Sequence, residues 1–249
     1  MRTLDDARGA RAGESRRERS GGTARNLSKC AAEAGSDTPR ALIMAKRRRT
    51  WNIVSEARRY WKASQRWGEQ WATGREMLIE LCARSHHDDV NATVSKLWLI
   101  GRSHSAALER SHVPGPPGVY LRAAAGVCAM CPSLDFEFAR LRRLKASGST
   151  FRERAASCVD RLATQLSAET GQYKISLASK YVHYHVCSVP IYDSISASAF
   201  RALDTSKVRG LDYSSHVARF QSIVDQLTSV GFEGVDARSV DDFVMWWWT

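Results

Sequence analysis

The stretch KISLASKYVHYHVCSVPIYDS, Lys174 to Ser194, decides how this chain is read. Ile175, Leu177, Ala178, Tyr181 and Val182 recur at helical rather than alternating spacing, and the pattern breaks at Cys187, Ser188 and Pro190. SISASAFRAL, from Ser194, then begins a second helical segment. The spacing predicts Lys174 near the first turn of one helix and Asp193 at the N-cap of the next. Nineteen residues separate the two, and a helix followed by a Pro-containing turn can fold an amine back onto a carboxylate over that distance. Lys180 is the rival amine. It lies six residues beyond Lys174, which at 3.6 residues per turn rotates it about 120° away, so only one of the two faces Asp193, and the spacing favours Lys174. An aspartate after Pro-Ile-Tyr also has a plain role, accepting a hydrogen bond from an otherwise unpaired backbone donor at the helix start. His185, eleven residues after Lys174, falls about 20° from its face; it is either a pocket residue or a satisfied core histidine.

Outward from this stretch the chain stays helical. Residues 51–85 place apolar and charged side chains at spacings of three and four, predicting two helices with Gly68 and Gly74 as interruptions and residues 85–89 as the stop. Trp61, Trp67 and Trp71, interleaved with Arg58, Arg59, Arg66 and Arg75, are either core residues or a stacking surface for nucleotide bases. Val94 to Ser111 predicts a helix beginning after Asn91 and Thr93, apolar along Leu97, Trp98, Ile100, Ala106 and Leu108. HVPGPPGVYL, from His112, predicts an extended loop, because three prolines and two glycines block helix and sheet. Ser206 to Ser229 predicts an amphipathic helix ended by Gly231, and DDFVMWWWT, from Asp241, a short apolar terminus that docks its tryptophans onto the body. Nothing alternates with period two for long and no internal repeat is visible. The predicted fold class is therefore all-α, as one domain over residues 50–249.

Charge sets the rest of the chain apart. Residues 1–49 hold 13 Lys or Arg against 6 Asp or Glu, a net of +7, which leaves +4 of the total +11 for the other 200 residues. With almost no large apolar side chains, that segment is expected to be a disordered basic tail. Met44, followed by Ala45 and the run Lys46 to Arg49, reads as an alternative start, and the run is either a solvated arm or a phosphate contact. No run of about eighteen apolar residues is present, so a soluble protein is expected. Cys128 and Cys131 form a C-x-x-C with no second pair at ligand spacing, and the adjacent side chains of His86, His87, Asp88 and Asp89 diverge. Neither metal nor cofactor is expected.

At Lys174 and Asp193 the chain resembles the helix-hairpin-helix DNA glycosylases, in particular the bacterial and archaeal 8-oxoguanine glycosylase branch, in which a helix-borne lysine and an aspartate at a following helix start share one pocket. Ahead of the lysine, Glu169 to Tyr173 carry a single glycine, Gly171, where the family hairpin has two. A second segment, KLWLIGRSHSAALERS from Lys96 to Ser111, is similar to uncharacterised bacterial proteins of this glycosylase-like group. The two segments cover about a sixth of the chain. The resemblance implies a two-lobed helical domain of the glycosylase type, with Lys174 and Asp193 catalytic. It further implies contacts of Lys96, Arg102, Gly171, Gln172 and His185 with DNA or the lesion, a partner of double-stranded DNA carrying a flipped damaged base, and a bacterial, cytoplasmic, nucleoid-associated location.

The chemistry explains the residue types. A neutral lysine amine displaces a base by attacking the sugar carbon, and the resulting Schiff base allows strand cleavage. A carboxylate nearby stabilises the positive charge that builds on the sugar and accepts the proton of the attacking amine. The expected function is therefore a base-excision glycosylase and lyase acting on an oxidised purine. Two alternatives stand beside it: a helical nucleic-acid-binding protein without catalysis, and a helical interaction module of a defence or mobile-element system with the Trp-rich helices as its interface.

Overall fold

The computed structural model describes residues 53–84, 86–110, 118–204 and 206–248. The expected basic tail, the Met44 start, the Lys46 to Arg49 run and the prolines of the 112–121 loop lie outside them.

The described residues form ten α-helices and one short 3-10 turn, with no strand among them. In chain order the helices are α1 Ile53–Glu69, α2 Ala72–Arg84, α3 Val90–Ser103, α4 Val119–Cys128, α5 Ser133–Arg143, α6 Ser149–Thr170, α7 Ile175–His185, α8 Ser194–Leu203, α9 Tyr213–Ser229 and α10 Ala237–Trp248. No described helix is long and apolar enough to cross a membrane. The all-α class holds, and most boundaries follow local chemistry. Asp89 caps α3 by accepting from the Asn91 and Ala92 amides, and Asp212 caps α9 through the Ser215 amide. Gly171 closes α6 with φ 69°, a conformation that favours glycine.

Several sequence expectations shift. Gly68 and Gly74 lie inside α1 and α2, and the break falls between them at Gln70 and Trp71. The predicted 94–111 helix starts four residues earlier, at Val90, because Asp89 supplies the cap, and it ends at Ser103. Ser105 then takes a positive φ of 54°, and a 3-10 turn, Leu108–Arg110, follows. Gly118 to Leu121, read as loop, opens α4. The 206–229 segment is helical only from Tyr213. The C-terminal apolar run is part of a twelve-residue helix.

The apolar side chains gather into two cores. The first takes residues from α2 through α7 and the start of α9, among them Leu97, Phe138, Val159, Leu162 and Tyr181. The second takes Ile53, Ala57 and Trp61 of α1 together with residues of α8, α9 and α10, among them Phe200, Ile223, Val240 and Phe243. The chain thus gives one helix to the second core, builds the first, and returns through the α7–α8 turn, so that turn carries it from one core to the other. Trp61 is a core residue, 7% exposed and packed near Phe232 and Phe243.

Gly68 is required by close approach. A Cβ there would collide with the Asp242 carboxylate, whose Oδ1 accepts from Arg75 Nη1 at 2.5 Å while Arg75 Nη2 donates to the Gly68 carbonyl at 2.7 Å. Gly68→Ala should therefore push this triad apart and cost about 1–3 kcal/mol, as overpacking does, measurable by urea denaturation.

His216 fixes a pH dependence of stability. It is 1% exposed, its Nε2 meets the Ile191 carbonyl at 2.8 Å, its ring stacks on Phe200, and burial pulls its pKa from 6.5 to about 4. The unfolded chain takes up a proton below pH 6.5 that the folded chain refuses until about pH 4, so stability is lost as pH falls through that window. Because the shift of about 2.5 units corresponds to about 3 kcal/mol, His216→Gln should cost about 3 kcal/mol less at pH 4 than at pH 7.5 by chemical denaturation.

Candidate functional site

Where the chain crosses between its cores, the two halves of the site meet. Ser176, Lys180, His183 and Tyr184 follow the i, i+4, i+7, i+8 spacing of one helix face, and all four line a cleft of about 840 Å³. Asp193, Ser194 and Ile195 from the start of α8, Arg238, Asp241, Asp242 and Met245 from α10, Trp67 from α1, Trp71 from the α1–α2 junction, Arg75 from α2 and the Ser103–Ser105 corner complete much of its wall.

The amine beside Asp193 is Lys180, not Lys174. Lys180 Nζ lies 3.1 Å from Asp193 Oδ2 and donates to Ser176 Oγ at 3.1 Å and to the His104 carbonyl at 3.3 Å. Three acceptors are the number an ammonium satisfies. Its side chain is 4% exposed and that of Asp193 23%, so this pair sits in a low-dielectric wall rather than on the surface. Lys174 is the N-cap residue of α7, donates to Gln172 Oε1 at 3.1 Å and does not line the cleft. The sequence expectation failed because Lys174 precedes the helix, whereas Lys180 sits on its second turn, on the face turned toward the α7–α8 bend.

Asp193 does both jobs the sequence allowed. Its Oδ1 accepts from the Ser196 amide at 2.9 Å, and Ser196 Oγ accepts from the Asp193 amide at 2.9 Å, completing a reciprocal cap. Its Oδ2 is left for Lys180. The charge of Lys180 and the hydrogen bonds from Lys180 and Ser196 hold this carboxyl below the usual range, against the opposing effect of burial.

The bend that sets the pair's separation is clamped carbonyl by carbonyl. His183 Nδ1 reaches the Val189 carbonyl at 2.7 Å, the Tyr213 hydroxyl donates to the Pro190 carbonyl at 2.7 Å, and His216 Nε2 reaches the Ile191 carbonyl at 2.8 Å. Ser179 Oγ accepts from the Tyr192 amide at 2.9 Å. Four side chains from two helices therefore fix the backbone between Lys180 and Asp193, the kind of support that holds reacting groups in register.

The rest of the wall is aromatic and polar. His104 Nε2 lies 2.5 Å from the Tyr184 hydroxyl, and burial together with the nearby Lys180 charge lowers the His104 pKa to about 4, so its ring is neutral at pH 7. Trp67 and Trp71 stand 6.3 Å apart at one side, Trp71 being 56% exposed. Unlike Trp61, Trp71 has the exposure that a stacking surface needs, and Trp67 is half-buried beside it.

The other expected contacts divide. Lys96 is 0% exposed inside the first core, where burial lowers its pKa; it cannot reach DNA, and its place on the buried side of α3 overturns the expected contact. His185 is also inside, stacked on Phe138 at 4.7 Å and close to His87 and Tyr181, with burial lowering its pKa. It faces the first core and not the cleft. Arg102 is at the surface, paired with Glu109 and lying over the Trp98 ring at 6.0 Å. Gly171 is exposed, with open space around its α-carbon, and Gln172 serves Lys174. These three lie away from the cleft wall. No group of three or more His, Cys, Asp or Glu side chains among the described residues is placed to hold a metal. In the 86–89 cluster, His87 instead bonds Asp135 at 2.5 Å and Tyr181 at 2.9 Å. Sequence reasoning missed His104 and Tyr184, which meet only where the Ser103–Ser105 corner packs on α7, and Arg238 and Asp241, which reach the cleft only through the return of α10.

No family model matches the chain, and no curated protein or solved structure matches it either.

Proposed function

We propose that the cleft excises a damaged base from DNA and then cleaves the backbone, with Lys180 as nucleophile and Asp193 as its charge partner. The observation that carries this is the 3.1 Å approach of Lys180 Nζ to Asp193 Oδ2 at the wall of a cleft of about 840 Å³, a size in the range of small-molecule sites. Lys180 passes a proton to Asp193 and attacks C1′ of the sugar. The C1′–N bond breaks, and its electron pair leaves with the base. The sugar ring then opens at C1′–O4′ as O4′ takes a second proton from the amine, which leaves the nitrogen joined to C1′ as a protonated Schiff base, and loss of a C2′ proton from it expels the 3′ phosphate. A base extruded from the duplex needs flat walls, and Trp67, Trp71, Tyr184 and the neutral His104 provide them. An oxidised purine of the 8-oxoguanine kind in double-stranded DNA is the proposed substrate, and no cofactor takes part.

The three acceptors around Lys180 also suit a second reading, in which the pair is a brace between the two cores and the cleft binds nucleic acid without chemistry. Sodium borohydride separates the two. With an 8-oxoguanine duplex the wild-type protein should form a covalent adduct and incise the damaged strand, leaving an undamaged duplex untouched. Duplex binding without adduct would favour the brace, and absence of binding would remove nucleic acid altogether.

A further inference from the structure

Three carboxyl groups line the cleft, and two of them have cations. Asp193 pairs with Lys180 at 3.1 Å and Asp242 with Arg75 at 2.5 Å. Asp241, on the same wall, has neither an ion pair nor a hydrogen bond among the described residues. The chemistry proposed above also leaves one proton without a source. Lys180 supplies the nucleophile and Asp193 takes the proton of the amine, but the departing base carries away an electron pair and has no donor. We propose that Asp241 is the general acid that protonates the leaving base. This rests on the glycosylase reading of the cleft.

As Lys180 Nζ forms its bond to C1′ and gives a proton to Asp193, the C1′–N bond breaks with both electrons going to the base. Asp241 then transfers its carboxyl proton to a ring heteroatom of that base. Asp241 is left as a carboxylate and regains its proton from solvent after the base departs.

The surroundings keep that proton in place. Asp241 is on α10, which packs on α1 and α8. Its neighbours are Asp193 at the start of α8, Asp242 and Arg238 on its own helix, Lys180 and Tyr184 on α7, and Arg75 on α2. Helix α1 turns Trp67 to the cleft and no charged side chain. Burial and the like charges of Asp193 and Asp242 raise Asp241 to about 7, against the opposing pull of Lys180 and Arg75. A carboxylic acid titrating near neutrality is matched to proton transfer at physiological pH. Because its folded pKa is raised, ionisation costs stability, and that cost is fully present above about pH 7 and absent below the usual carboxylate value of 3.8.

Asp241→Asn keeps the shape and removes the proton, and two substrates tell its role from a general defect. On an 8-oxoguanine duplex the variant should release base about 100-fold more slowly at pH 7, within the span for general acid catalysis, and should lose the wild-type decline in rate above about pH 7. On a duplex already carrying an abasic site, where no base departs, Schiff-base trapping and strand cleavage should stay within about twofold of wild type, because the acid has no part in those steps. The variant should also melt higher than wild type at pH 8, with the gain vanishing toward pH 4. Base release at the wild-type rate, a slowed rate with an unchanged pH profile, or equal impairment on both substrates would each overturn the acid role while leaving the Lys180 chemistry standing. A wild-type protein that traps neither substrate would overturn both.

Discussion

Replacing Lys180 by alanine is expected to abolish the borohydride adduct and to reduce incision of an 8-oxoguanine duplex by at least about a thousandfold, the scale lost when a covalent nucleophile is removed. Lys174→Ala is expected to leave both within about twofold, since substitutions away from the core and the site are nearly neutral and Lys174 donates to Gln172 rather than into the cleft. The comparison is sharp because both lysines belong to one helical segment, Lys174 as its N-cap and Lys180 on its second turn, and it is Lys180 that meets Asp193. Loss of the Lys180 charge leaves Asp193 half-buried without its cation, so some instability accompanies the variant. Lys180→Arg keeps a cation beside Asp193 without a neutral amine to attack and controls for it, and the Ser196 cap of Asp193 is untouched by either change. Asp193→Asn retains a capping oxygen and removes the charge together with the acceptor that faces Lys180. Adduct formation in that variant should fall about 100-fold or more, as when a group aimed at developing charge is deleted.

The largest expected loss of stability is in the second core. Phe243 is fully buried on α10, against Trp61 and the apolar faces of α1, α8 and α9. Phe243→Ala removes its contacts and leaves a cavity, so about 3–5 kcal/mol should be lost in urea denaturation. Because α10 also carries Asp241, Asp242 and Arg238 into the cleft, the same substitution should weaken activity beyond its effect on the folded fraction. Phe136, 67% exposed, is the contrast: Phe136→Ala should change stability by less than about 0.5 kcal/mol.

Much of the fold is legible in the chain because helices announce themselves locally. The 3.6-residue periodicity of residues 175–185 and the Asp193 cap are both found where the spacing puts them. The boundaries that shifted did so where a cap outweighed the apolar pattern, as at Asp89, or where a glycine served close approach rather than a turn, as at Gly68. The site is legible only in part. Asp193 stands out from its position, but the choice between two lysines depends on which face of α7 turns to the cleft, and Lys174 leaves the helical phase at its N-cap. Lys96 and His185 have polar side chains on faces that are otherwise apolar. Their burial beside Cys82, Phe138 and Tyr181 comes from helix packing that no local pattern encodes. Asp241 and Arg238 reach the cleft from about fifty residues downstream of Asp193, a pairing set by the second core alone.

Peptide mapping of the reduced adduct tests the Lys180 assignment most directly. Wild-type protein trapped with borohydride on an 8-oxoguanine duplex, digested and sequenced by mass spectrometry, should carry the sugar remnant on Lys180. An adduct on Lys174 or on another lysine, or complete absence of an adduct under conditions where the duplex is bound, would contradict it.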